Sequence, residues 1–529
     1  MPNPYLLHHL IEHAAAAQPS KEVVVDLVGS RRSFTYEVFY AMAGHCAAAL
    51  QSKGLERGDR VAIYLPKSYE EAVGIFGASM AGGVCVDVNS LLLGHQVAHI
   101  LSDCSVKWLI TSARDWKRVR EDVVGVASLR CVFFIDDEHG SEPQQSVPVV
   151  YNMMRQFEQR PRNSVAIGED LAAILYTSGS TGKPRGVMLS HRNLLAGSRI
   201  VTKYLELGAE DRILSILPFS FDYGLNQLLT AVQQFANIVL LQYRFPSEIV
   251  RALVAENITG LAGVPLIWAG LVHHTSGLGE TDVPSLRYVT NSGGAVPTAT
   301  VKNLRKLIPK TKIFLMYGLT EAFRSTYLPP EEVDRRPDSI GKAIPETEIL
   351  VINSEGHPCK PGEPGTLVHR GPTVSLGYWG KPDLTKQFFR PHPFIPLDKG
   401  GDVVCYSGDL VRTDEEGFLY FEARADGQIK SQGYRVSPAE VEEVLMETGE
   451  LAQAAVIGIP AGDAGEKVHA IVVPASAVPL NTEDILRRCA QRLPAYMIPK
   501  NIEIVESLLK TPNGKIDYKS LRAQRVEQT

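Results

Sequence analysis

The sequence predicts an α/β protein of two unequal parts: a large layered N-terminal domain of helix-covered sheets and a small α+β C-terminal domain. Three observations carry this. Short apolar runs alternate with longer helical stretches along much of the chain, which is the pattern of βαβ units. The 529 residues are too many for one core and enough for a large domain plus a small one. Finally, Arg424-Ala425-Asp426-Gly427 reads as a boundary, followed by a compact segment with its own strands and helices. The two parts are residues 1–425 and 426–529.

From the N-terminus, Leu6 to His13 reads as an amphipathic helix and lacks the basic start and unbroken apolar core of a secretory signal. Arg60 to Leu65 is a strand and Ser68 to Met80 a helix. The most apolar later segment, Ala72 to Val86, is short for a membrane span and carries Gly74, Gly77, Gly82 and Gly83. It is therefore expected to be a buried helix followed by a strand. Lys107 to Thr111, Leu171 to Leu175, Ile238 to Leu241 and Leu286 to Thr290 are further strands. Helices are expected from Ser190 and over Pro246 to Glu256. Beyond the boundary, Ser437 at the N-cap, Pro438 at the first helical position and Glu440 three residues after the cap start a helix. Ala454 to Ile459 and His469 to Pro474 are strands.

Composition excludes several classes. Hydrophobic residues at 44% and charged ones at 21% suit a soluble globular protein, expected in the cytoplasm without membrane insertion. A net charge of -5 with no long cationic run gives no footprint for nucleic acid. Seven scattered cysteines without a Cys-x-x-Cys pair suggest reduced, packed thiols. The pairs His8-His9 and His273-His274 lack metal-ligand spacing.

The chemistry begins after Leu175, where the chain reads Tyr176-Thr177-Ser178-Gly179-Ser180-Thr181-Gly182-Lys183-Pro184-Arg185-Gly186. Gly179, Gly182 and Gly186 let a backbone turn its N–H groups onto an anion. Thr177, Ser178, Ser180 and Thr181 add donors, and Lys183 and Arg185 add charge. It is a loop for phosphate, but Pro184 stands where a nucleotide-kinase loop needs a magnesium-binding hydroxyl. The metal must be held elsewhere.

This loop resembles the phosphate-binding signature of the superfamily of AMP-forming acyl-CoA synthetases, peptide-synthetase adenylation domains and luciferases, and four later segments match in the family's order. The resemblance implies that the small domain is a mobile lid, that ATP and Mg2+ are required, and that an acid is activated as its acyl-AMP. The acyl group then passes to a thiol, that of CoA or of phosphopantetheine on an acyl or peptidyl carrier protein. In Met316-Tyr317-Gly318-Leu319-Thr320-Glu321 it implies that Tyr317 stacks on adenine, Thr320 contacts the α-phosphate and Glu321 binds magnesium. Gly293, Gly294 and Ala295, after the strand ending at Thr290, would lie along the adenine. In Tyr406-Ser407-Gly408-Asp409, Asp409 would accept from both ribose hydroxyls, for which an ionised carboxylate is suited. Arg424 and Arg435 would sit near ribose and phosphate, Asp426 would be the lid's pivot, and Gly433 would line the thiol's path. In Thr511-Pro512-Asn513-Gly514-Lys515, Lys515 would bridge the acid and the α-phosphate as a flexible point charge.

For the acid, Phe221-Asp222 resembles the amino-acid-activating members, whose Asp binds the substrate's ammonium group; Asp222 could equally cap the helix Gly224 to Phe235. Arg324 falls on the stretch that lines the family's acid pocket. The wording of residues 317–330 is similar to stand-alone bacterial ligases of the prolyl-carrier-protein and exosortase-associated kinds. A small amino acid handed to a carrier-protein thiol is the expectation. A fatty or other organic acid made into its acyl-CoA is the alternative, and an ADP-forming ATPase or kinase a distant one.

Overall fold

Strands buried on both faces organise the N-terminal part of the computed structural model, which describes residues 3–136, 148–150, 152–153, 165–177, 184–424, 427–447, 450–462, 465–475, 480–509 and 516–526. One sheet runs Val149–Val150, Cys131–Phe134, Trp108–Thr111, Arg60–Tyr64, Val84–Asp87, Leu171–Thr177, Arg185–Ser190, parallel except for the last pair. Its inner strands read Val-Cys-Val-Asp and Trp-Leu-Ile-Thr without alternation because helices cover both faces. A larger sheet has a parallel half, Glu22–Asp26, Asn237–Leu240, Arg212–Ser215, Gly260–Gly263, Tyr288–Asn291 and Lys312–Tyr317. It continues through antiparallel strands that include Leu419–Arg424, Val403–Thr413 and Gly365–Arg370 and end at Glu348–Ile352.

Helix starts follow local chemistry. Ser68, Ser112 and Ser190 each accept a hydrogen bond from the backbone N–H three residues on, satisfying a donor that the helix leaves open. The segment Ala72 to Val86 becomes the helix Tyr69–Met80 and the strand Val84–Asp87, as expected. A Cβ at Gly77 would lie 2.5 Å from the Cys46 sulfur, so the glycine allows this helix to press against the helix Tyr36–Ser52. No helix among the described residues is long and apolar enough to cross a membrane. All seven cysteines are unpaired, six of them buried.

The C-terminal part is a three-stranded sheet, Leu451–Pro460 antiparallel to Glu466–Pro474, which pairs in parallel with Asn501–Ile504. Alternation divides its faces. Val456 and Ala470 meet the helices Pro438–Met446 and Thr482–Arg492, while Ala455 and Ile457 meet the helix Tyr518–Val526. A short hairpin, Ile429–Ser431 with Tyr434–Val436, precedes it.

Three local expectations change. The first helix spans His9–Ala17 rather than starting at Leu6. Gly186 has no positive φ: it lies in the strand Arg185–Ser190, where a Cβ would strike Ile174 at 2.6 Å, so it serves packing rather than phosphate. The helix at Pro438 forms, but the Ser437 hydroxyl makes no cap bond. Glu440 instead accepts from Gln96 Nε2 of the large domain at 3.0 Å, because tertiary contact offers it a partner that the helix end does not.

Candidate active site

The carboxyl ends of parallel strands carry the site. Asp87 ends a strand of the first sheet, and Asn291 and Tyr317 end two adjacent strands of the larger one; backbone freed there can turn toward a ligand. Two cavities meet between these ends and the C-terminal hairpin. One, of about 120 Å³, is lined by Asp87, Thr177, Phe221, Asp222 and Thr320 of the large domain, with Tyr434 and Arg435 of the hairpin. The other, of about 320 Å³, is lined by Gly294, Ala295, Tyr317 and Ile340, with Gln428 and Glu466. Gly293, Gly318, Lys430 and Gly433 border both.

Glu321 is at the centre. It sits in the short 3-10 turn Thr320–Ala322, fully buried. Its Oε1 accepts from Tyr378 Oη at 2.8 Å and Arg185 Nη2 at 3.4 Å. Arg435 Nη1 stands 3.6 Å from Oε2. Burial opposes ionisation of Glu321, but Arg435 and Arg185 outweigh it and hold the carboxyl below its usual range. Arg185 is itself buried, its guanidinium 4.8 Å above the Tyr378 ring and 5.2 Å from Phe388. The cation expected to face phosphate therefore braces Glu321.

For a metal, no group of three or more His, Cys, Asp or Glu side chains is arranged to hold one among the described residues. Glu321 Oε2 is buried and takes no hydrogen bond there, so it fits as the single carboxylate of a magnesium ion completed by phosphate oxygens and water.

In the larger cavity, Tyr317 donates its hydroxyl to Asp409 Oδ2, and its ring lies parallel to that of His369 at 6.2 Å between centroids. Asp409 is wholly buried, and its backbone is the antiparallel partner of Arg424. Gly433 takes φ +85°, and a Cβ there would lie 2.9 Å from Val264 Cγ2. Ser178, Gly179, Ser180, Thr181, Gly182, Lys183, Asp426 and Lys515 lie outside the described residues, as does the side chain of Arg424. The feet of the first loop are described: Thr177 and Arg185 are antiparallel partners.

Phe221 is the N-cap residue of the helix Asp222–Gln233, two residues earlier than expected, and makes no side-chain cap bond. Asp222 is buried on the cavity wall in the first turn, where the helix dipole favours a negative charge. Its carboxylate makes no hydrogen bond among the described residues, so it does not cap the helix. Arg324 lies behind this wall, on a third, smaller cavity.

Sequence reasoning missed several groups. Asp87, Glu71 and Lys67 form a buried cluster of titratable groups. Burial pushes the Glu71 carboxyl up to about 7 and raises Asp87 as well, while Lys67 is pushed down to about 8. Lys67 Nζ donates to Ser215 Oγ at 3.0 Å. The available signal was a charged residue closing the apolar run Val84-Cys85-Val86, with Lys67 just before the helix cap Ser68 and Glu71 in the first turn. Tyr378 and His369 carried no local signal.

The AMP-binding enzyme family profile matches residues 11–379, and that of the AMP-binding enzyme C-terminal domain matches residues 440–515. The chain belongs to the AMP-binding enzyme family. It is 29% identical to a long-chain-fatty-acid–CoA ligase of Bacillus subtilis, over 98% of this chain and 95% of that one. It is also 29% identical to tyrocidine synthase 3 of Brevibacillus parabrevis, over 97% of this chain but 8% of that much longer one. Its fold is similar to that of o-succinylbenzoate CoA synthetase from Bacillus subtilis, with a TM-score of 0.83, 23% identity and 97% of each chain covered. The enzyme is an AMP-forming acid–thiol ligase, consuming ATP and joining a carboxylic acid to a thiol.

Proposed function

We propose that the enzyme adenylates a small amino acid and transfers it to the phosphopantetheine thiol of a carrier protein. One observation carries the reading: Asp222, 4% exposed, presents a carboxylate to the 120 Å³ cavity without a hydrogen-bond partner among the described residues. A buried carboxylate left alone is costly, and an ammonium group on the acid would pair with it. Asp87 on the same wall adds buried polar oxygens without a hydrogen-bond partner among the described residues, which makes the cavity a poor host for an alkyl chain.

The remaining roles follow the chemistry of each group. Thr177 to Lys183 hold the phosphates. Gly293 to Ala295 and Tyr317 hold adenine, and Asp409 and Arg424 the ribose. Thr320 contacts the α-phosphate, and Glu321 would hold magnesium, which would supply positive charge against the nucleotide's phosphates. Lys515 offsets the repulsion between the acid's carboxylate and the α-phosphate while the acyl-AMP bond forms and pyrophosphate leaves. Residues 426–529 then turn about Asp426, bringing Gly433 and Arg435 to the site so that the thiol reaches the acyl carbon and AMP departs.

The similarity to long-chain-fatty-acid–CoA ligases over 98% of the chain supports a second reading, with an apolar acid and CoA. Acid-dependent pyrophosphate exchange across amino, fatty and aryl acids separates them. An amino acid is expected to win; a fatty acid as best substrate overturns the proposal. Thioester yield with a carrier protein against free CoA then decides the acceptor.

A further inference from the structure

We infer that the acid carries a second acceptor group, a distal carboxylate, which the buried guanidinium of Arg324 receives. The inference rests on the reading of Asp222 as the site of the substrate's amine.

Arg324 is 3% exposed. Its guanidinium lies 4.6 Å above the Tyr223 ring and makes no ion pair among the described residues, and its Nη2 has no acceptor. Interior arginines normally meet a carboxylate, because a cation taken out of water without one is strongly unfavourable. The Arg324 backbone takes φ +102°, a conformation rare for a side-chain-bearing residue, so surrounding packing holds it in place.

Arg324 lines a cavity of about 20 Å³, with room for roughly one or two waters. Asn226 lines it too, and Asn226 Nδ2 is a second buried donor without a partner. Two unpaired donors, one charged, converge on a small space: that is an acceptor site of negative charge. Gln227 Oε1, also unpaired, could take a water or hydroxyl beside the anion. The unbranched thioether of Met316 forms an adaptable wall.

It lies directly behind the wall of the acid cavity. Asp222 and Asn226 are four residues apart on one face of the same helix, with Asp222 on the larger cavity and Asn226 on the smaller. Ser292 and Thr290, and Gly318 and Met316, repeat this step two residues apart along neighbouring strands, the outer residue on the larger cavity and the inner on the smaller. Gly318 puts no side chain between them, and a Cβ there would meet Arg324 Cα at 3.4 Å. Residues one helical turn apart are separated by about 5–6 Å between Cβ atoms, so the amine and the distal anion belong to one compact molecule. The class is a short acidic α-amino acid, activated at one carboxyl with the other held by Arg324.

The test is pyrophosphate exchange by the full chain with aspartate and glutamate, their uncharged amides, and apolar amino acids of the same length. The acidic member should exceed its own amide by about a hundredfold or more in kcat/KM, since a site built for a polar group discriminates strongly against its absence. In Arg324→Met that ratio should collapse, mainly through KM, and Arg324→Lys should restore part of it. A structural role would lower all substrates together and leave the ratio intact. If Arg324→Met does not fold, Asn226→Ala should reduce the same ratio. An amide or apolar amino acid preferred by the unaltered enzyme overturns the inference and leaves the amino-acid reading standing. Exchange driven only by acids without an amine overturns both.

Discussion

Arg435 of the C-terminal hairpin stands 3.6 Å from Oε2 of Glu321, the carboxylate oxygen left free by Tyr378 and Arg185. The C-terminal hairpin therefore places a cation beside the oxygen that, under the proposed function, would meet magnesium. Two cations on one oxygen repel, so on that proposal the Arg435 contact and the metal would belong to different moments of the reaction.

Replacing Arg435 by Ala should slow thioester formation from pre-formed acyl-AMP by about tenfold to a hundredfold. Removing one partner of a buried ion pair commonly costs about 3–5 kcal/mol, discounted here because Arg185 remains. The magnesium concentration for half-maximal pyrophosphate exchange should fall or stay level. A raised magnesium requirement with unaltered transfer would refute competition for Oε2.

Gly433 needs its positive φ and lies against Val264. Gly433→Ala should therefore slow thiol transfer, and Gly433→Trp should abolish it, with adenylation retained. Lys515→Ala should show the reverse, with exchange lost and transfer spared. Measuring both half-reactions for both variants checks the division of labour, and equal loss in both halves for either variant would show it to be wrong.

Asp222→Ala should erase most of the preference for an amino acid over its deamino analogue, which in the unaltered enzyme should be of order a thousandfold. Since Asp222 makes no cap bond, the variant's thermal midpoint should change little. A lowered midpoint with unchanged selectivity would make the residue structural.

Glu440 gives a pH dependence. Burial pushes its carboxyl up to about 7, although the hydrogen bond from Gln96 pulls the other way. A carboxyl raised above its ordinary value keeps its proton in the docked form, so its contribution to lid docking falls as pH rises from about 4.5 to about 7, then levels. Energy transfer between labels on the two domains should report weaker docking across that window. Glu440→Gln, which keeps the contact without a titrating proton, should flatten the slope; an unchanged slope would assign it to another group.

Much of the architecture was legible in the chain because its causes are local. Alternating apolar runs and helices, the serine caps at 68 and 190, and the glycines after strands depend on neighbours a few residues away. The order of the motifs from Tyr176 to Lys515 pointed to the adenylate-forming family for the same reason: each is a short backbone device readable on its own. Tertiary structure decided what required distant partners. Arg185 and Glu321 are 136 residues apart in sequence, yet burial in one pocket makes Arg185 a brace for Glu321. Gly186 is held by Ile174 from the neighbouring strand, and Glu440 leaves its helix cap for Gln96 of the other domain. Asp87 and Arg324 stand out only through burial, because a polar group left without a partner becomes costly when packing removes the water that would otherwise satisfy it.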